Sequence, residues 1–246
     1  MVFRILVTSC IILFAQNAVA QENLSDDFKI QITPREIYGS ELSEKNSDYI
    51  NPDQKIIYAV YPPKDFNPSA KTGIMVFAGS YRDKHPSFNW LSSVRESNLI
   101  YIEALVSEVD SSYRQRQILA EMAVPLLEKK YNIDKNRIYI SGEGRVASVV
   151  AMNNPDIFKG AIYTNGNLWT ENAETKLDSI KQNRFVFITG EIKSRAKKVR
   201  DVYGKYKKAG IENSKLIYLN PIRSSKIKRI DLIRAINYLD DPNSNS

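Results

Sequence analysis

Short apolar runs alternate along this chain with longer segments whose apolar residues fall at helical spacing. Residues 72–77 (Thr-Gly-Ile-Met-Val-Phe), 99–105, 138–141, 161–164 and 185–189 are near-continuous runs rich in β-branched and aromatic side chains, the pattern of strands buried on both faces. Residues 215–219 read as a further strand. Residues 55–61 alternate and stop at Pro62-Pro63, which cannot extend a strand. A first strand is expected over 31–37, followed by a polar stretch at 40–54.

The segments between these runs carry the helical period. Over 113–131 the apolar positions Ile118, Leu119, Met122, Ala123, Leu126 and Leu127 line one face, with Pro125 as an expected kink. Helices are also expected over 88–97, 146–152, 172–182, 194–209 (stopped by Gly210) and 229–239. Strands alternating with helices specify an α/β fold, a mostly parallel central sheet with helices on both faces. The expected organisation is a leader at 1–20, an N-terminal strand and polar segment at 21–54, one α/β domain at 55–241, and a polar tail at 242–246.

Composition sharpens this in three ways. The 246 residues suit one domain with a substantial core. Met1-Val2-Phe3-Arg4, an apolar stretch at 5–15 and Ala18-Val19-Ala20 form a cleavable secretory signal. Cleavage is expected after Ala20, giving a secreted or periplasmic protein. The apolar stretch is too short to span a membrane. Cys10, the only cysteine, leaves with the leader, so the mature chain has no disulfide, thiol nucleophile or thiolate ligand.

The formal charge of +7 falls to +6 without Arg4 and favours anionic partners, either a small molecule or an acidic polysaccharide. The basic clusters at 205–208 and 226–229 read as solvated faces. Nucleic acid is not expected, because no recognition module accompanies them. With one histidine, His85, and no acidic ligand loop, neither a metal nor another cofactor is expected. The acid pairs Asp26-Asp27 and Asp240-Asp241 read as solvated charge.

The candidate chemistry lies where the strand at 137–141 runs through Gly142-Glu143-Gly144-Arg145-Val146 into a helix. A strand–turn–helix reading G-x-S-x-G is a nucleophile elbow, and here Gly144 occupies the serine position. The same residues, continued to Ala147, also match the dinucleotide fingerprint G-x-G-x-x-A. That motif needs an acid about twenty residues on to bind ribose. Tyr163-Thr164-Asn165-Gly166-Asn167 supplies none.

The lead-in Ile133-Asp134, Arg137-Ile138-Tyr139-Ile140 and Gly142, with the exit Asn154-Pro155-Asp156-Ile157-Phe158-Lys159-Gly160-Ala161, resembles the polyhydroxybutyrate-depolymerase and feruloyl-esterase-like branch of the α/β-hydrolases. The resemblance extends over about residues 55–241. It implies the α/β-hydrolase fold and ester hydrolysis by a serine, an acid and a histidine in that chain order. Carried onto this chain, the serine falls at Gly144. The acid, after the strand at 185–189, falls at Lys193. The histidine falls in Asn220-Pro221-Ile222-Arg223-Ser224, taken at Ser224, and no histidine follows residue 85.

With no catalytic residue in place, the chain reads as an esterase-like pseudoenzyme. The resemblance leaves Gly79 and the Arg145 amide as oxyanion donors. It gathers Gly79, Ser80, Tyr81, Arg82, Arg145, Lys193 and Arg223 around a cleft suited to a carboxylate, sulfate or phosphate. Two alternatives stand beside this. One is an active serine esterase or depolymerase using Ser80 or Ser141 with His85. The other is a structural or interaction protein without a small-molecule ligand. Ser141 and Ser148 read as packed residues.

Overall fold

The computed structural model describes residues 26–78, 87–105, 111–143, 145–164, 172–190, 193–219 and 227–243. The leader expected at 1–20 lies outside them. The apolar runs form strands β1 (Phe28–Ile32), β2 (Ile56–Tyr61), β3 (Thr72–Phe77), β4 (Leu99–Ala104), β5 (Ile133–Glu143), β6 (Gly160–Thr164), β7 (Arg184–Thr189) and β8 (Ser214–Tyr218). They join one sheet in the order β1-β2-β4-β3-β5-β6-β7-β8. From β4 to β8 neighbouring strands are parallel, and β2 runs antiparallel to both β1 and β4.

The helices are α1 (Pro34–Glu44), α2 (Phe88–Glu96), α3 (Tyr113–Glu128), α4 (Arg145–Asn153), α5 (Asn172–Thr175), α6 (Leu177–Lys181), α7 (Lys193–Lys208) and α8 (Arg229–Asp240). Alternation along each strand divides the core between two faces. On one face Leu119, Met122 and Leu126 of α3, Val150 of α4 and Val199 of α7 pack on Val60, Ile74, Ile140 and Phe187. On the other, Val94 of α2 and Leu232, Ile236 and Leu239 of α8 pack on Met75, Tyr101, Tyr139 and Val186. Helices therefore cover both faces of a mostly parallel sheet, as the sequence pattern requires.

Four expectations change. The first strand ends at Ile32, because Thr33 caps a helix where the strand was expected to continue. Thr33 Oγ1 accepts from the Glu36 amide at 3.2 Å, Glu36 Oε2 accepts from the Thr33 amide at 2.7 Å, and Pro34 opens the first turn. β5 begins at Ile133 and not near 137; the register slips opposite Thr72–Ile74, where the Asp134 carboxylate accepts from the Asn136 amide at 3.1 Å. The helix expected over 172–182 is divided at Lys176, whose backbone (φ −119°, ψ 17°) is not helical. Asp27 and Asp240 are ion-pair partners and not solvated charge. Asp27 pairs with Arg95, and Asp240 accepts from Arg137 at 2.8 and 2.7 Å and from the Tyr139 hydroxyl at 2.7 Å, fastening the end of α8 to β5.

Two buried features of the sheet are sensitive to single substitutions. β3 lies so close to its neighbours that a Cβ on Gly73 would stand 2.7 Å from the Arg137 carbonyl oxygen and 2.4 Å from Leu99 Cδ2. Gly73→Ala is expected to destabilise the fold by about 1–3 kcal/mol, measured by urea unfolding. A wild-type midpoint would show that the strands can part there without cost.

Glu103 shares the α2/α8 face with Tyr101 and pairs with Phe77. It is 4% exposed and accepts from the Tyr61 hydroxyl at 3.4 Å. Burial pushes its carboxyl up from 4.5 to about 7, against the opposing pull of that hydrogen bond. The unfolded chain loses this proton first as pH rises, so the fold loses stability between about pH 4.5 and 7, by up to about 3 kcal/mol. Glu103→Gln is expected to match wild type near pH 4 and to be the more stable protein at pH 8. Parallel pH profiles for the two proteins would contradict this.

Candidate functional site

The carboxyl ends of the parallel strands come together along one edge of the sheet. Phe77 of β3 pairs with Ser141 of β5, Glu143 pairs with Thr164 of β6, and Thr164 pairs with Ile188 of β7. The Ala78 amide donates to the Ser141 carbonyl at 2.7 Å, carrying the alignment one residue past β3. At this edge β5 ends at Glu143 and α4 begins at Arg145. A single residue, Gly144, separates strand from helix. Gly144 itself lies outside the described residues.

Arg145 opens α4 and is exposed. Its guanidinium carbon lies 5.2 Å from the centre of the Tyr113 ring, and that of Arg116 lies 5.8 Å from the same ring. Tyr113 stands at this edge because α3 follows β4 as α4 follows β5. The start of α3 is fixed by Ser112, whose hydroxyl accepts from the Gln115 amide at 3.1 Å while the Gln115 side chain accepts from the Ser112 amide at 3.3 Å.

Burial pushes the Tyr113 phenol up, and the charges of Arg145 and Arg116 pull it down. The Tyr113 ring thus has two guanidiniums close to it, one from its own helix and one from the start of α4. Tyr113 and Arg116 had no sequence signal as site residues, since their meeting with Arg145 is a contact between two separate βα units.

Other side chains at this edge serve the scaffold. Ser141 is fully buried, and its hydroxyl has no hydrogen-bond partner among the described residues. The Ser148 hydroxyl donates to the Arg145 carbonyl at 3.0 Å, and Thr164 donates to the Gly142 carbonyl at 3.3 Å. Glu103 sits at the end of β4, beside the point where the chain leaves β3. Lys193 is the first residue of α7, three residues beyond Gly190, and its side chain lies outside the description. Gly79, Ser80, Tyr81, Arg82 and His85 lie in 79–86, and Arg223 and Ser224 in 220–226, also outside it.

Arg145 and Lys193 thus each stand just past the carboxyl end of a parallel strand, β5 and β7 respectively. The structure adds Tyr113 and Arg116. Among the described residues no three His, Cys, Asp or Glu side chains are grouped to hold a metal ion, and no helix is long and apolar enough to cross a membrane. A cavity of about 410 Å³ lies elsewhere, between α1, α3 and the turn after α4, lined by Tyr38, Glu121, Pro125, Lys135, Asn154 and Asp156.

No protein-family model and no curated protein matches the sequence. Solved structures do match. A ferulic acid esterase is 12% identical, with a TM-score of 0.63 over 87% of this chain and 97% of that one. A feruloyl esterase module from Clostridium thermocellum, complexed with sinapinate, is 12% identical, with a TM-score of 0.62 over 90% of both chains. A thermostable esterase is 17% identical with a TM-score of 0.56; the match covers 80% of this chain but only 56% of that one. In sheet order, in the helices on both faces and in these likenesses, the chain has the α/β-hydrolase fold.

Proposed function

We propose that this chain is an exported, catalytically inactive esterase-like protein that binds an anionic ligand where its structural neighbours process esters. The one-residue link between β5 and α4 carries the reading. An acyl-enzyme needs a side-chain nucleophile at that link, and glycine has none. The rest of the catalytic set fails with it. Lys193 stands where the resemblance puts the acid, and the only histidine is His85, ahead of the elbow in the chain. A displaced set built on Ser141 is disfavoured by the complete burial of that hydroxyl.

Arg145 supplies the binding half of the proposal. It offers a guanidinium steadied on Tyr113 at the start of α4. Carboxylates are natural occupants of such a place. The sinapinate held by the feruloyl esterase neighbour is an aromatic carboxylate and a reasonable first probe.

Two results test this. A fluorophosphonate probe is expected to leave the purified protein unlabelled, and Gly144→Ser is expected to show no ester turnover, since neither acid nor base accompanies the new hydroxyl. Stoichiometric labelling of the wild-type chain would end the inactive reading. In titrations with sinapinate, Arg145→Ala is expected to weaken binding about tenfold or more, the size of a lost charge-assisted hydrogen bond. Equal affinities would remove Arg145 from the site.

A further inference from the structure

The positive charge of the chain is unevenly distributed. Residues 172–246 hold seventeen Lys and Arg against eight Asp and Glu, and α7 concentrates it. Ala196, Val199 and Tyr206 seat this helix on the sheet. Its opposite side exposes Lys197, Lys198, Arg200, Lys205 and Lys208, with Asp201 as the one acid among them. Lys207 stands apart from the set. Its Nζ donates to the Glu212 carbonyl at 2.7 Å and lies 3.7 Å from the Glu212 carboxylate. Among the described residues none of the five exposed cations lies within salt-bridge distance of a carboxylate.

Asp201 stands at helical spacing from Lys197, Lys198 and Lys205 and favours those pairs about as much as the like pairs Lys197 with Arg200 and Lys205 with Lys208 disfavour theirs. One acid among five exposed cations leaves the face positive. From Lys197 to Lys208 the stripe runs about 16 Å along the helix axis, long enough to follow a chain and too long for one small anion.

The other residues of the stripe narrow the partner. Tyr206 is buried and Tyr203 half-buried, leaving no exposed ring on which nucleobases could stack. Among the described residues the exposed large apolar side chains are Leu42, Tyr49, Ile57, Phe88, Ile157, Tyr218 and Ile230. None is on α7, so the helix has no anchor for a bilayer. Four of the five cations are lysines, point charges that meet scattered carboxylates or sulfates without the bidentate geometry of arginine and phosphate. We propose that the solvent face of α7 docks a linear acidic polysaccharide. This surface is distinct from the Arg145 site and does not depend on it.

The test uses the full mature chain and polygalacturonate, with neutral dextran as the control. Binding to polygalacturonate is expected, with a steep fall between about 50 and 300 mM salt as condensed counterions cease to drive association. The triple variant Lys197→Glu, Lys205→Glu, Lys208→Glu is expected to lose at least tenfold in affinity. The corresponding triple glutamine variant should lose less, and it gives the reading if the glutamate set fails to fold. Arg145→Ala should bind polygalacturonate like wild type, and the lysine variants should bind sinapinate like wild type, so the two sites fail separately. Undiminished affinity in a folded triple variant would overturn the proposal, as would the absence of polygalacturonate binding. Tighter binding to single-stranded DNA or to phosphatidylglycerol vesicles would also overturn it, by assigning the face to another class of partner.

Discussion

The pairing of β5 between β3 and β6 is the constraint on which the site depends. Both neighbours are parallel to it, and the registers Phe77 with Ser141 and Glu143 with Thr164 bring three strand ends into line. Parallel strands buried on both faces tolerate little play. A one-residue slip would move Tyr139 out of the core against α8 and Ile140 out of the core against α3 and α4. The absence of a side chain at Gly73 lets β3 approach closely enough for this register, and the Asp240 pair with Arg137 and Tyr139 anchors the far end of β5 to α8. Where β5 stops is therefore fixed by the whole core, and the residue that follows it is delivered to the carboxyl edge whatever its chemistry.

Scaffold and surface chemistry are thereby separated at this edge. The groups holding the strand–turn–helix in place are buried and apolar: Ile140 and Tyr163 in the sheet, Val146 and Val150 on the helix. A catalytic serine, acid and histidine would all stand on connections past the strand ends. Residues on such connections lie outside the core, so folding places little restraint on their identity. The Arg145 guanidinium meets the Tyr113 ring because it belongs to a helix that the scaffold needs.

What could be read from the sequence follows the same division. Continuous apolar runs such as Thr72–Phe77 are legible because each residue meets the same environment, a core on both sides. The 3.6-residue period of α3 survives Pro125, since the packing of Leu119, Met122 and Leu126 outweighs one missing hydrogen bond. Thr33-Pro34-Arg35-Glu36 carried a complete helix-start signal that the apolar residues before it obscured. Asp240 and Glu103 show the opposite limit. A carboxylate beside another acid reads as solvent-facing, yet Asp240 meets Arg137, 103 residues away. Glu103 sits within a strand pattern that gives no sign of how deeply its carboxyl is buried. The contact of Arg145 with Tyr113 joins two βα units and has no local correlate.

The two positive surfaces differ in kind, and the difference decides what each can recognise. Arg145 and Arg116 share one ring, so their charge is held in a fixed direction close to a partly buried aromatic surface. Charge fixed against a poorly hydrated surface is screened less than charge in open water, and it discriminates by position. The exposed Lys197, Lys198, Lys205 and Lys208 of α7 lie on its solvent side. Their field weakens over a Debye length, about 8 Å at physiological salt, and any of their rotamers can meet an anion. A small carboxylate gains from the first arrangement and little from the second, because one mobile lysine binds it no better than a counterion would. A polyanion gains from the second through the number of contacts made at once, and its size would exclude most of it from the first. The two arrangements thus stand at opposite ends of the distinction between positioned and diffuse electrostatics.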